Sequence, residues 1–276
     1  MKKTTTDPFF FIITPNNSGS TVFSQFIANN IPLSFLPPHG NNEGQWIPEV
    51  VDMMRNNPWS PETKMDWEFI KDTWKTYLNE SKKQIFVESS PPTMVRLNSL
   101  LKTFRPRGMV LFISNPYLQI ASCIHRYSKN ESIDVAAKRF TESWLEKAKI
   151  QAHNKSSHPS TPLISYEFFC TNPAQACNQA LSSLECQDIP GSVNLTIEGK
   201  KNTMINTIMD MTPRHLSFLG KEGVSIINEI ITSQIDVVEF FGYSTLEPTQ
   251  IDMILAANKP LESAGIKNRA EWDQNN

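Results

Sequence analysis

Between the apolar run Phe9–Ile13 and a helix-period segment that begins at Thr21 stands the polar stretch Pro15-Asn-Asn-Ser-Gly-Ser-Thr21. A loop that leaves a buried strand and opens a helix points unpaired N–H groups, and the positive end of the helix dipole, at one spot. A glycine there lets the backbone wrap closely around an oxyanion. Ser18, Ser20 and Thr21 add hydroxyl donors, and Asn17 adds an amide. These residues suit the binding of an anion, a phosphate above all. The pattern Gly-x-x-x-x-Gly-Lys-Ser/Thr of an ATP-binding P-loop is absent, so the loop has no lysine to place on a triphosphate. A Ser/Gly turn that only caps a helix uses the same residue types, and both readings stand at this level. No His-x-x-x-His, no Cys-x-x-Cys and no carboxylate cluster at metal-ligand spacing occurs, so no metal is expected. Cys123, Cys170, Cys177 and Cys186 read as free, buried thiols.

Such a loop needs a rigid frame. Short apolar runs alternate with longer helix-period segments, the pattern of strand–helix–strand units around a parallel sheet. Phe9–Thr14, Ile31–Leu36, Gln84–Val87, Met109–Ile113 and Leu163–Tyr166 read as strands. Thr21–Asn30, Trp46–Arg55, Trp67–Leu78, Thr93–Phe104, Ile133–His153 and Val224–Phe241 read as helices. Asn115-Pro116 starts a further helix, with Asn as N-cap and Pro in the first turn. Another carries Cys177, Ala180, Leu181 and Leu184 at i, i+3, i+4, i+7. Pro37–Gln45 and Pro190–Asp210 read as polar loops, and the tail beyond Tyr243 as a loosely packed extension. The predicted fold is α/β: a three-layer, mostly parallel sheet with helices on both faces. It forms a single domain over 1–276, with a core at about 8–243 and an extension at 244–276.

The chain has 276 residues, 26 Lys plus Arg against 28 Asp plus Glu, a formal charge of −2, 39% apolar and 20% charged residues. This length suits one large α/β domain. A charge so near zero argues against a nucleic-acid binder and a polybasic membrane binder, though not against a local basic pocket. A membrane span needs about 20 apolar residues and a signal peptide roughly 7–15 in its centre; Phe9–Ile13 is too short for either. The expectation is a cytoplasmic protein with no membrane anchor.

Four segments together are specific. Pro-x-x-Ser-Gly-Ser-Thr follows the first strand and Glu88-Ser-Ser-Pro91 a middle one. Asn115-Pro116 stands six residues before Ser122. Tyr166-Glu167, then Asn172-Pro173, closes the last strand. In order and spacing, over about residues 8–243, the set resembles the sulfotransferase superfamily. The resemblance implies a P-loop-like sulfotransferase fold and an enzyme that uses 3′-phosphoadenosine 5′-phosphosulfate (PAPS) as co-substrate, without metal. Asn17, Ser18, Gly19, Ser20 and Thr21 would then hold the 5′-phosphosulfate. Ser114, Ser122 and Arg126 would lie in the 3′-phosphate segment. Ser122 and Arg126 are i, i+4 and share a helix face, where Arg126 can add a fork-shaped cation. Lys200 and Lys201 follow Gly199, as in the family's lid over the nucleotide.

The sequence departs from the family pattern where positive charge is usual: Asn17 in the first loop, Ser89 after Glu88, and Ser114 before Asn-Pro. A charge-assisted hydrogen bond is worth about 1.5–3 kcal/mol against about 0.5–1.5 for a neutral one, so donor binding should be weaker unless other cations substitute. Arg96, Arg126, Lys200, Lys201 and Arg214 are the candidates. Sulfuryl transfer also needs a base and donors for the leaving oxygen. Glu43, ahead of Trp46-Ile-Pro48, resembles the base of one branch of the family, and His39 that of the other; Glu43 is the better local match. Asn17 and Ser20 would face the leaving oxygen. Trp46, Trp59, Trp67 and Trp74 could wall an acceptor pocket or anchor the core. The expected function is sulfuryl transfer to a hydroxyl or nitrogen of a small molecule, as in secondary metabolism. The alternatives are a catalytically degenerate relative that binds the nucleotide, and a kinase on a P-loop-like fold.

Overall fold

The computed structural model describes residues 6–128, 130–182, 184, 197–198, 204–205, 208 and 210–257. In chain order the elements are β1 (Asp7–Ile13), α1 (Ser20–Asn30), β2 (Ser34–Phe35), α2 (Val51–Arg55), α3 (Trp67–Glu80), β3 (Ile85–Glu88), α4 (Leu97–Thr103), β4 (Pro106–Ile113), α5 (Pro116–Tyr127), α6 (Ile133–Ser157), β5 (Leu163–Ser165), α7 (Tyr166–Thr171), α8 (Pro173–Leu181), β6 (Ile197–Glu198), β7 (Met204–Ile205), α9 (Thr212–Thr232), α10 (Ile235–Glu239) and α11 (Pro248–Ala257). Short 3₁₀ turns cover Gly44–Trp46 and Pro91–Arg96. The residues fall into two compact units, Met1–Ile113 with Ile150–Met209, and Ser114–Lys149 with Asp210–Asn276.

The first unit holds a five-stranded sheet in the order β2-β3-β1-β4-β5, every pairing parallel. A central parallel strand is covered on both faces, so it reads as an unbroken apolar run; Phe9 to Ile13 are all fully buried. Side chains alternate across the sheet. Phe9, Phe11 and Ile13 join Trp74 of α3, Leu100 of α4 and Phe104 in one core cluster. On the opposite face Phe112 stacks on Phe23 of α1 at 4.4 Å between ring centroids, and Phe169 of α7 closes edge-on to Phe23 at 5.0 Å. Helices thus cover both faces, and the expected three-layer α/β architecture is what the chain adopts.

The outer end of β1 is fixed by charge. Asp7 takes Lys71 Nζ at 2.7 Å, Lys75 Nζ at 3.2 Å and the Arg105 amide at 2.9 Å. At the other end, Gln151 of α6 donates to the Ile13 carbonyl at 2.7 Å and to the Phe112 carbonyl at 3.1 Å. Asn154 donates to the Met94 carbonyl at 3.0 Å. These buried amides donate to main-chain oxygens of β1, of β4 and of the 3₁₀ turn after β3. Phe11 of β1 lies beside Glu88 of β3 in the parallel register. The loops that follow the two strands therefore leave the same edge. The strand order reverses at β1, and the carboxyl edge near such a reversal is where open α/β sheets bind ligands.

In the second unit, α5 starts as its residues dictate: Asn115 Oδ1 accepts from the Leu118 amide at 2.8 Å and Pro116 occupies the first turn. Tyr117 of α5 shares its hydroxyl with Asn228 of α9 and with the Leu246 amide, and Asn228 Nδ2 donates to the Leu246 carbonyl at 2.8 Å. Burial pushes the Tyr117 phenol up to about 12.

Several boundaries differ from expectation. The second strand shrinks to Ser34–Phe35, because the sheet edge pairs only those residues with Ile85 and Phe86. The helix expected over 46–55 is a 3₁₀ turn and then α2 from Val51; Pro48 removes an amide that a continuous helix would use. The helix expected to start at Val224 starts at Thr212, with a non-helical Gly220 (φ 64°) inside it. The segment after Tyr243 contains α11, whose Ile251 is buried. Within the expected loop 190–210, β6 and β7 pair as an antiparallel ribbon. Among the described residues no helix is long and apolar enough to cross a membrane.

Candidate active site

The loop after β1 is braced from within. The Ser18 hydroxyl donates to the Pro15 carbonyl at 2.8 Å and lies 2.6 Å from the Thr14 hydroxyl, with both side chains fully buried. The Ser18 hydroxyl, a candidate donor to an anion, is here turned inward and ties the turn shut. Asn17 and Gly19 have left-handed backbones, with φ of 57° and 84°. Asn accepts that region better than most residues, and Gly without strain. Helix α1 follows at once. Its N-cap residue, Gly19, brings no capping side chain, and no acidic residue stands in its first turn, so neither offsets the partial positive charge of its amino end. Ser20 is buried and Thr21 half-buried in that turn. Tyr166 packs over Gly19, and a Cβ built there would stand 2.6 Å from the ring Cε2.

Glu43 lies one loop away. Gln25 of α1 donates to Asn42 Oδ1 at 3.0 Å, which ties the segment ahead of Glu43 to that helix. Glu43 is almost wholly buried. Its Oε2 accepts from the Gln45 side-chain amide and from the Trp46 indole, the latter at 3.0 Å. The turn carrying it docks on the end of β3. The Gly44 amide donates to Glu88 Oε2 at 2.7 Å, the Gln45 amide to Ser90 Oγ at 2.9 Å, and the Trp74 indole to the Gly44 carbonyl at 3.3 Å. Glu88 is fully buried, and its other oxygen accepts from the Ser90 amide at 2.7 Å. Burial, with a smaller push from the Glu43 charge and against these hydrogen bonds, raises its carboxyl to about 7. His39, the other candidate base, is half-exposed and stands edge-on to Tyr77 at 6.1 Å between centroids.

The structure thus links α1, the helix that Asn17–Thr21 open, to the segment ahead of Glu43 through the Gln25–Asn42 hydrogen bond. Ser114, Ser122 and Arg126 belong to the second unit. There Ser114 is buried, its hydroxyl 3.4 Å from Gln119 Oε1 and its carbonyl accepting from the Trp144 indole at 3.3 Å. Ser122 is half-buried, and Arg126 is exposed with its guanidinium 5.9 Å from the Tyr127 ring centre. Lys200 and Lys201 lie outside the described residues. Arg96, a candidate cation, is spent on structure: its guanidinium donates to the carbonyls of Asn57, Pro58 and Pro92 at 2.8–3.2 Å. Burial pulls the Arg214 guanidinium down. Of the four tryptophans, Trp67 and Trp74 are core, Trp59 is exposed, and Trp46 packs against Gly40 with the Arg55 guanidinium 4.0 Å from its ring centre.

Three contributors carry no role in the sequence reading. Glu88 belongs to a motif, yet nothing in its type marks it as an anchor for Glu43. Gln151 follows Trp144 and Ala148 at helical spacing, so a polar residue on an apolar stripe was the available sign. Ser89 has a buried hydroxyl with no hydrogen-bond partner in the structure. A buried donor without a partner is costly. Together with the amino end of α1 and the side-chain-free Gly19, it fits a small anionic group at this edge. Among the described residues no group of three or more His, Cys, Asp or Glu is placed to hold a metal ion.

No protein-family model matches the chain, and no curated protein matches it in sequence. Solved structures similar to it include a sulfotransferase from Alicyclobacillus acidocaldarius at 11% identity and a TM-score of 0.47, over 83% of this chain and 97% of that one. A retinol dehydratase in complex with androsterone and the inactive cofactor PAP aligns at 12% identity and a TM-score of 0.44, over 89% and 84%. The sulfotransferase domain of the Synechococcus PCC 7002 olefin synthase aligns at 13% and 0.42, over 92% and 90%.

Proposed function

We propose that the chain is a single sulfotransferase domain that moves a sulfuryl group from PAPS to a hydroxyl or nitrogen of a small-molecule acceptor, acting in the cytoplasm on metabolites. The observation that carries the reading is the amino end of α1, where Gly19 curls the chain and brings no capping side chain, on a helix whose Gln25 holds Asn42, the residue before the buried Glu43. An anion cradle beside a general base is the minimum that an in-line transfer needs. The acceptor's lone pair forms the new bond to sulfur as its proton passes to Glu43. The bond from sulfur to the bridging oxygen breaks, and its electron pair leaves on the 5′-phosphate of 3′-phosphoadenosine 5′-phosphate (PAP). The α1 amides, Ser20, Thr21 and the Asn17 amide receive the phosphosulfate charge. On the sequence resemblance alone, Ser122, Arg126, Lys200 and Lys201 take the rest of the nucleotide.

Thermal shift with PAP against ATP plus magnesium tests this directly. Ligand at 100 times its Kd stabilises by about 2.7 kcal/mol, a rise of roughly 5–10 °C for a chain of this size. PAP should give it and ATP should not. No shift and no calorimetric heat with millimolar PAP on folded protein would refute the reading. A second reading, a nucleotide binder without turnover, is favoured by the neutral residues Asn17, Ser89 and Ser114. PAP binding without transfer from labelled PAPS would select it.

Asn17→Lys restores one cation. Donor affinity should rise about 5- to 10-fold, the difference of about 1 kcal/mol between charged and neutral hydrogen bonds. Lysine tolerates the left-handed backbone less well than asparagine, so the melting temperature of the free protein should fall slightly. Calorimetry that shows unchanged or weaker binding would place the phosphosulfate elsewhere.

A further inference from the structure

We propose that Glu88 is the positioning residue for Glu43, acting through the Gly44 amide. The inference rests on the sulfotransferase reading for the role of Glu43 but not for the contact itself. Each Glu88 oxygen holds one main-chain amide: Oε2 that of Gly44, Oε1 that of Ser90, both at 2.7 Å. The first is the peptide unit that joins Glu43 to Gly44, so fixing it fixes where the Glu43 side chain starts. Gly44 makes the approach possible; a Cβ there would stand 2.5 Å from Glu88 Oε2 and 2.8 Å from Trp74 Cε2.

The clamp depends on ionisation. A carboxylate accepts at both oxygens, whereas a neutral carboxyl turns one oxygen into a hydroxyl donor. That hydroxyl oxygen, facing an N–H, is the poorer acceptor, so protonation weakens the hold on Gly44 or Ser90. Glu43 is the charged group that faces Glu88 from the docked turn. Phe11 of β1 beside it and Trp74 of α3 above the turn do not titrate in the relevant range. Arg96 of the following 3₁₀ turn is committed to carbonyls. With burial holding the Glu88 carboxyl near 7, the Glu43 turn is clamped above neutrality and loosened below it.

Two indole N–H groups report on this turn: that of Trp46 donates to Glu43 and that of Trp74 to the Gly44 carbonyl. Their nitrogen–proton NMR signals, followed from pH 5.5 to 9 on the full chain, should move together with one midpoint near 7. In Glu43→Gln the Trp74 transition should persist with a lower midpoint, since a like charge is gone. In Glu88→Gln it should vanish, with the Trp74 signal held at its low-pH position, because a side-chain amide also accepts at only one of its two ends. In transfer assays Glu88→Gln should lower kcat 10- to 100-fold, keep the donor KM within about twofold, and lose an acid limb near pH 7. Wild-type indole signals that stay flat between pH 6 and 8 overturn the proposal. So does a Trp74 transition that disappears in Glu43→Gln, or a Glu88→Gln enzyme with wild-type kcat and pH profile. If Glu88→Gln fails to fold, the wild-type and Glu43→Gln titrations still decide. If wild type transfers no sulfuryl group, the functional reading falls while the indole titrations still test the clamp.

Discussion

Glu43→Gln should slow sulfuryl transfer by about 10²- to 10⁴-fold, the usual worth of a general base, and leave PAP affinity within about twofold. The two effects separate because Glu43 and the α1 cradle belong to different loops, joined by the Gln25–Asn42 bond and not by Glu43 itself. Glutamine keeps one side-chain oxygen for the Trp46 indole, which donates to Glu43 at 3.0 Å, so the turn retains its shape. His39→Ala is the paired control. His39 stands edge-on to Tyr77, and Tyr77 in turn donates to Glu49 at 3.0 Å. Removing the imidazole should change the rate less than threefold. Initial rates with labelled PAPS, run beside PAP calorimetry on the same preparations, read both quantities. Full activity in Glu43→Gln with loss in His39→Ala would transfer the base role to His39. Equal activity in all three proteins would remove the base from this loop altogether.

What the residues announced in advance was the frame. Phe9–Ile13 can only be a strand covered on both faces, and the stretch that follows it can only turn before α1; both fall within two residues of expectation. Asn115-Pro116 starts α5 because its amide and ring act locally. Local signals failed where neighbours decide. Ser18 looks like a donor from its type, but Pro15 and Thr14 lie within reach only after the loop closes. Arg96 looks like an available cation until three carbonyls from two separate segments converge on it. The link between Glu43 and Glu88 spans forty-four positions of chain from Gly44 and exists only once β3 is seated beside β1. Periodicity carries no trace of such a contact. The site is therefore legible as a set of loops, while the duties of the residues within them are set by packing.

The largest effect on stability and binding together should come from Gly19→Ala. Its φ of 84° lies where a Cβ costs about 1–3 kcal/mol. The same Cβ would meet the Tyr166 ring at 2.6 Å from Cε2, and crowding of that kind costs about 1–3 kcal/mol more. A loss of about 2–6 kcal/mol is expected from chemical denaturation, with PAP affinity down at least tenfold because the amides of α1 no longer converge. Two comparisons separate the causes. Gly242 also has a positive φ, 76°, but an added Cβ there meets nothing within 4 Å; Gly242→Ala should lose only the backbone share and leave PAP binding intact. Gly19→Ala in a Tyr166→Ala background removes the clash but keeps the backbone strain. The cycle of single and double variants should then show a favourable coupling of about 1–3 kcal/mol, the signature of two groups that compete for one space. Zero coupling, or wild-type PAP affinity in Gly19→Ala, would mean that Tyr166 does not press on the cradle and that the anion sits beyond reach of this glycine.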